Sequence, residues 1–135
     1  MNVPAAEIPR RIVAVVDDDY RVRESLASLL ESAGVTPVVF ASAEEFLQSA
    51  TLKHVRCLIT DVRMPGMDGL ELQRRVRKER PTLAVLFITA HNDCETKQMA
   101  VSGGAIGFLR KPFDGAELLQ IISRALEGMS NEGTE

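Results

Sequence analysis

CLITDVRMPGMDGL, residues 57–70, joins a short apolar run to a carboxylate and then to a turn. Cys57, Leu58, Ile59 and Thr60 have the make-up of a buried strand, Asp61 ends it, and Pro65, Gly66 and Gly69 follow closely. An ionised carboxylate leaving water is costly unless something pairs with it. A charge at the tip of a buried strand therefore implies a partner, supplied by the rest of the chain or by a ligand.

On either side of this stretch the sequence alternates between short β-branched apolar runs and longer segments with helical spacing. RIVAVV (11–16) is followed from about Tyr20 by YRVRESLASLLESAG, in which Val22, Leu26, Leu29 and Leu30 share a face and Gly34 suits a helix end. VTPVVF (35–40) reads as a second strand, and Pro37 puts it at an edge because it cannot donate to a ladder. SAEEFLQSA (42–50) is a short helix with Ser42 and Glu45 at capping-box spacing. VRCLIT (55–60) leads past the turn into GLELQRRVRKER, which Pro81 stops. LAVLFITA (83–90) precedes NDCETKQMAVSGG, a short, weakly amphipathic helix with Asn92 as its cap and Gly103 and Gly104 at its end. AIGFL (105–109) is the fifth strand. Asp114 and Glu117 repeat the capping spacing before AELLQIISRALEG, which Gly128 is expected to close, leaving 129–135 as a disordered tail and 1–10 as a flexible leading segment around a domain at 11–128.

Five strands alternating with five helices predict an α/β doubly wound (βα)5 fold, a parallel sheet with helices on both faces. Unbroken apolar strands agree with burial on both sides. In such sheets the functional site lies at the carboxyl ends of the strands. Asp17, Asp18 and Asp19 follow the first strand, Asp61 ends the third, Thr89 the fourth, and Lys111 follows the fifth. Taken singly, an Asp after a strand is more often a helix cap, and Asp19 is assigned that role. Four positions on four elements converging at one edge point to chemistry instead.

That chemistry follows from charge. Asp17, Asp18 and Asp61 repel one another, by about 4 kcal/mol for a pair at 4 Å in an effective dielectric near 20. A hard divalent cation relieves this, and magnesium fits best because it takes carboxylate oxygens, keeps several waters and is commonly completed by a phosphate. Lys111 and the Thr89 hydroxyl would then meet phosphoryl oxygens during in-line transfer. Asp61, central in the sheet and followed by an open turn, is the candidate nucleophile for an acyl phosphate.

Bulk properties narrow the alternatives. The 135 residues, 45% hydrophobic, suit one domain with one core system. A net charge of -3 with mixed signs leaves no footprint for nucleic acid or for an anionic membrane. There is no signal-peptide pattern and no run of roughly 20 apolar residues, so the expected location is cytoplasmic. Cys57 and Cys94 form no metal or disulfide pattern and read as reduced thiols.

VVDDD, DVRMPGMDGLEL, FITAH and FLRKPF, in this order and spacing, resemble the receiver domain of two-component response regulators over about Ile12 to Leu126. The resemblance implies the flavodoxin-like strand order 2-1-3-4-5, and a phosphorylation-dependent switch rather than an enzyme. Asp61 would accept a phosphoryl group from a sensor histidine kinase. Mg2+ would be held directly by Asp18, Asp61 and the Arg63 backbone carbonyl, and by Asp17 through water. Thr89 and Lys111 would hold the phosphoryl oxygens, the Lys111–Pro112 bond would be cis, and Phe108 would be the switch aromatic. Arg63 and His91 would tune access of the hydrolytic water, and the bulk of Arg63 predicts a fairly long-lived phosphoprotein. The signal would pass through the surface of the fourth helix, fifth strand and fifth helix, where phosphorylation-dependent homodimerisation is a further expectation.

Residues 103–126 resemble receivers that precede DNA-binding output domains in nitrogen-fixation-type regulators. The expectation is either a single-domain regulator or a receiver from a longer protein with a downstream output domain or partner, the present chain binding no nucleic acid itself. Two other readings compete. A flavin-binding flavodoxin-like domain would need a Ser-, Thr- or Gly-rich phosphate loop where Asp17 to Asp19 stand. A metal-dependent phosphohydrolase with an Asp nucleophile would turn over phosphate esters.

Overall fold

The computed structural model describes residues 11–90 and 94–133. The leading segment 1–10, the cap assigned to Asn92, the position of His91 and the last two residues of the tail lie outside them. Strands β1 (Ile12–Val16), β2 (Thr36–Phe40), β3 (Cys57–Asp61), β4 (Ala84–Thr89) and β5 (Gly107–Arg110) alternate with helices α1 (Tyr20–Ser32), α2 (Ala43–Gln48), α3 (Gly69–Glu79), α4 (Cys94–Ser102) and α5 (Gly115–Gly133). A 3-10 turn over Ala50–Lys53, not foreseen from the sequence, joins α2 to β3. The five strands form one parallel sheet in the order β2-β1-β3-β4-β5, with Pro37 on the edge strand as its missing donor requires.

Strand alternation sorts the apolar runs into two cores. Val13, Val15, Cys57, Ile59, Leu86 and Ile88 meet Leu26 and Leu30 of α1 and Leu118 and Ile122 of α5. Ala14, Val16, Leu58, Val85 and Phe87 face the other way, toward Phe46 of α2, Leu72 and Val76 of α3 and Ala100 of α4. β1, β3 and β4 are buried along their whole length, which is why their sequences show no polar alternation.

Helix starts follow the expected caps. The Ser42 hydroxyl accepts from the Glu45 N–H at 3.2 Å, and Asp114 accepts from the Ala116 N–H at 2.9 Å, one residue earlier than its spacing to Glu117 suggests. Asp68, not singled out from the sequence, caps α3 by accepting from the Glu71 N–H at 2.8 Å. The end of α5 departs from expectation: the helix continues through Gly133 rather than closing at Gly128. A glycine inside a helix costs only about 1 kcal/mol, so it is a weak stop where the chain ahead can remain helical.

Candidate functional site at the carboxyl edge

The edge is built first from β1. Its last residue, Val16, hands the chain to Asp17, whose side chain is fully buried, then to the exposed Asp18 and to Asp19, the cap of α1. Asp17 is held from three sides: its Oδ1 accepts from the Asp19 N–H at 2.9 Å, its carbonyl accepts from Arg23 Nη1 at 2.7 Å, and its N–H donates to the Phe40 carbonyl at 3.2 Å. Asp19 accepts from the Arg21 N–H at 2.9 Å, the capping role assigned to it.

From β3 comes Asp61, 8% exposed, with Oδ1 accepting from the Val62 N–H at 2.7 Å. The chain turns back so tightly that the Gly69 N–H donates to the Val62 carbonyl at 2.7 Å, and a Cβ on Gly69 would lie 2.1 Å from the Asp61 carbonyl oxygen. Only glycine fits there. β4 delivers Thr89, 1% exposed, opposite Arg110 in the ladder. The Lys111 N–H continues that pairing by donating to the Thr89 carbonyl at 2.7 Å, and the Lys111–Pro112 peptide is cis.

Lys111 closes the site. Its Nζ donates to Asp17 Oδ2 at 2.9 Å and to Asp61 Oδ2 at 3.0 Å, so one ammonium bridges carboxylates from two strands. Burial alone would pull the Lys111 pKa down, but its hydrogen bonds to Asp17 and Asp61 outweigh that and raise it. Asp17 goes up chiefly because of burial, with Lys111 and the Asp19 N–H opposing and Asp61 reinforcing the rise. Carboxylate oxygens of Asp17, Asp18 and Asp61 lie within 4.8 Å of one another. Three carboxylates against one ammonium leave two negative charges, which a divalent cation cancels, and an all-oxygen donor set suits a hard ion.

Residues 13–123 match the response regulator receiver domain. The chain belongs to that family. Nodulation protein W of Bradyrhizobium diazoefficiens is 42% identical over 118 residues, covering 87% of this chain and 52% of that protein. The transcriptional regulatory protein FixJ of Azorhizobium caulinodans is 40% identical over 123 residues, covering 91% of this chain and 58% of that protein. The chain thus spans about half the length of these curated relatives. The BeF3-activated DrrB receiver domain has the same fold, with a TM-score of 0.77 at 29% identity over 86% of this chain and 97% of that one. As a receiver of two-component signalling, this chain is a phosphoacceptor regulatory domain, a phosphorylation-dependent switch rather than a turnover enzyme. The flavodoxin and phosphohydrolase readings fall away with that assignment.

Of the remaining positions singled out in the sequence, Phe108 and Arg63 lie among the described residues. Phe108 on β5 is half-buried, packs against the α2–α3–α4 core and lies with its ring centroid 6.2 Å from that of Phe87. The Arg63 side chain is exposed on the turn after Asp61. Arg23, which braces Asp17, was missed because nothing local in YRVRESL distinguishes a site-facing arginine from a solvated one. No helix among the described residues is long and apolar enough to cross a membrane.

Proposed function

We propose that Asp61 accepts the phosphoryl group, by Mg2+-dependent transfer from a phosphohistidine on a sensor histidine kinase. The observation that carries this reading is the Lys111 ammonium bridging Asp17 and Asp61 beside the exposed Asp18. A carboxylate oxygen of Asp61 attacks phosphorus, the P–N bond to the donor imidazole breaks, and a P–O bond forms, giving an acyl phosphate. Lys111 follows the charge, leaving the Asp61 carboxylate for a phosphoryl oxygen, and the Thr89 hydroxyl donates to another. Asp18, Asp61 and the Arg63 carbonyl would ligate the metal, with Asp17 acting through water, and bound Mg2+ would supply charge neutralisation on the transferring group.

Thr89 moving toward the new oxygens would leave room for Phe108 to turn inward. That rearrangement relays the state through α4, β5 and α5, where a phosphorylation-dependent homodimer or a downstream output domain would read it. The donor would dock in the groove of about 780 Å³ between α1 and the turn after β5, lined by Val22, Leu29, Pro112 and Phe113 together with Arg21 and Lys111. Its apolar lining beside the attacking carboxylate suits the helix surface of a phosphohistidine-bearing partner. A donor replenished from ATP places the protein in the cytoplasm.

Incubation with acetyl phosphate and Mg2+, read by intact mass, tests the reading. One added phosphoryl group, lost in Asp61→Asn and absent under chelation, is expected; no addition with any small donor would overturn it. Arg63, and His91 by its position two residues after Thr89, would govern the lifetime of the product. Arg63→Asn should shorten the half-life several-fold, and an unchanged decay would remove Arg63 from that role.

A further inference from the structure

The turn after Asp61, residues 62–68, carries Arg63, whose carbonyl stands among the proposed metal ligands. Its base is held by packing and by backbone: Val62 and Met64 are buried in the same core cluster as Phe46 of α2 and Leu72 of α3, and the Gly69 N–H donates to the Val62 carbonyl at 2.7 Å. At its tip Pro65 and Gly66 are exposed, so burial does not fix that part.

A side chain from another element reaches the tip instead. Glu44, in the first turn of α2 and 23 residues away along the chain, accepts at Oε2 from the Met67 N–H at 3.0 Å. Gly66 runs against the same carboxylate: it has φ +76, and a β-carbon there would lie 2.8 Å from Glu44 Oε2. The left-handed bend and the close approach both select glycine. A carboxylate accepting from a backbone N–H is among the stronger hydrogen bonds open to an exposed side chain. A carbonyl ligand already held in place spares the metal the entropy of ordering the turn that carries it.

We infer that Glu44 is a positioning residue for the metal site: by holding the Met67 N–H it fixes the turn after Asp61 and so presents the Arg63 carbonyl to Mg2+. Glu44 lies outside the Asp17–Asp18–Asp61 cluster and acts through the backbone of the turn. Helix α2 thereby shapes the metal site without contributing a ligand. This role rests on the reading of the carboxyl edge as a Mg2+ site serving phosphorylation of Asp61.

Titration with Mg2+ alone, followed by calorimetry, tests the role without any phosphoryl donor. Glu44 is exposed, so its variants should fold. Glu44→Ala should weaken Mg2+ binding about three- to tenfold, and Glu44→Gln, whose amide oxygen can still accept from Met67, should stay within about twofold of the wild type. Glu45→Ala removes a neighbouring exposed carboxylate from the same helix turn and should leave Mg2+ binding unchanged. Hydrogen exchange at the Met67 amide should quicken in Glu44→Ala and not in Glu45→Ala. With acetyl phosphate, Glu44→Ala should raise the Mg2+ concentration needed for half-maximal labelling rate and leave the rate at saturating Mg2+ as it was. Wild-type Mg2+ affinity in Glu44→Ala overturns the role while the phosphoacceptor reading stands. An equal loss in Glu44→Gln or Glu45→Ala also overturns it, because the effect then belongs to charge rather than to the hydrogen bond. If the wild type binds no Mg2+, the metal reading fails and this role with it.

Discussion

Ionisation of Asp17 is disfavoured by the fold, chiefly because the side chain is fully buried and also because it faces the charge of Asp61 across Lys111. Its folded pKa lies above the unfolded value of 3.8, so the protonated form is favoured by folding. The stability it contributes is present at low pH and is lost as pH rises from the ordinary carboxylate range through the raised value. Asp17→Asn should therefore stabilise the metal-free protein at pH 7 by about 1 kcal/mol in urea titrations, while removing the extra stability that Mg2+ confers on the wild type. The two thiols differ as sharply. Burial pushes Cys57 up to about 12, whereas Cys94 is exposed, so alkylation of native protein at pH 8 should give one adduct, at Cys94, and a second only on unfolding. A second adduct on native protein would mean that β3 opens more readily than its burial implies. The sequence showed Asp17, Asp18, Asp61, Thr89 and Lys111 plainly, since each ends or follows an apolar run. It did not show Arg23, which donates to the Asp17 carbonyl, or Gln73 of α3, which donates to the Ala100 carbonyl, because only folding brings those carbonyls near.

The elements were legible in proportion to their burial. β1, β3 and β4, buried throughout, stood out as unbroken apolar runs, and the paired leucines of α1 gave its buried face. α4 was legible as short and weakly amphipathic, and the structure gives the reason: Ala100 is its one buried residue. What local pattern left out was the 3-10 turn after α2, set by packing of Leu52 rather than by any turn signal, and the extension of α5 beyond Gly128. α5 is held by Leu118, Ile122 and Leu126 against the β1–β3–β4 face. Leu118→Ala should cost about 2–5 kcal/mol by chemical denaturation, far more than Asp114→Ala, which removes only the cap and should cost about 1 kcal/mol. Equal losses would mean that α5 contributes little to the core.

The parallel order of the five strands brings residues distant in the chain to one edge, and only at that scale do Asp17, Asp61 and Lys111 become a single site. The groove beside it distinguishes small donors from protein donors. Leu29→Asp or Phe113→Asp should slow transfer from a phosphohistidine protein at least tenfold while leaving acetyl phosphate labelling intact. Equal loss with both donors would place the damage in the site itself. Asp61 is expected to carry the phosphoryl group as an acyl phosphate. Reduction of the phosphorylated protein with borohydride converts such a residue to homoserine, and peptide mapping then locates it. Homoserine at position 61 alone is the expected result; homoserine at Asp17 or Asp18, or a reduction-resistant phosphate on a hydroxyl, would rule out Asp61 as the acceptor.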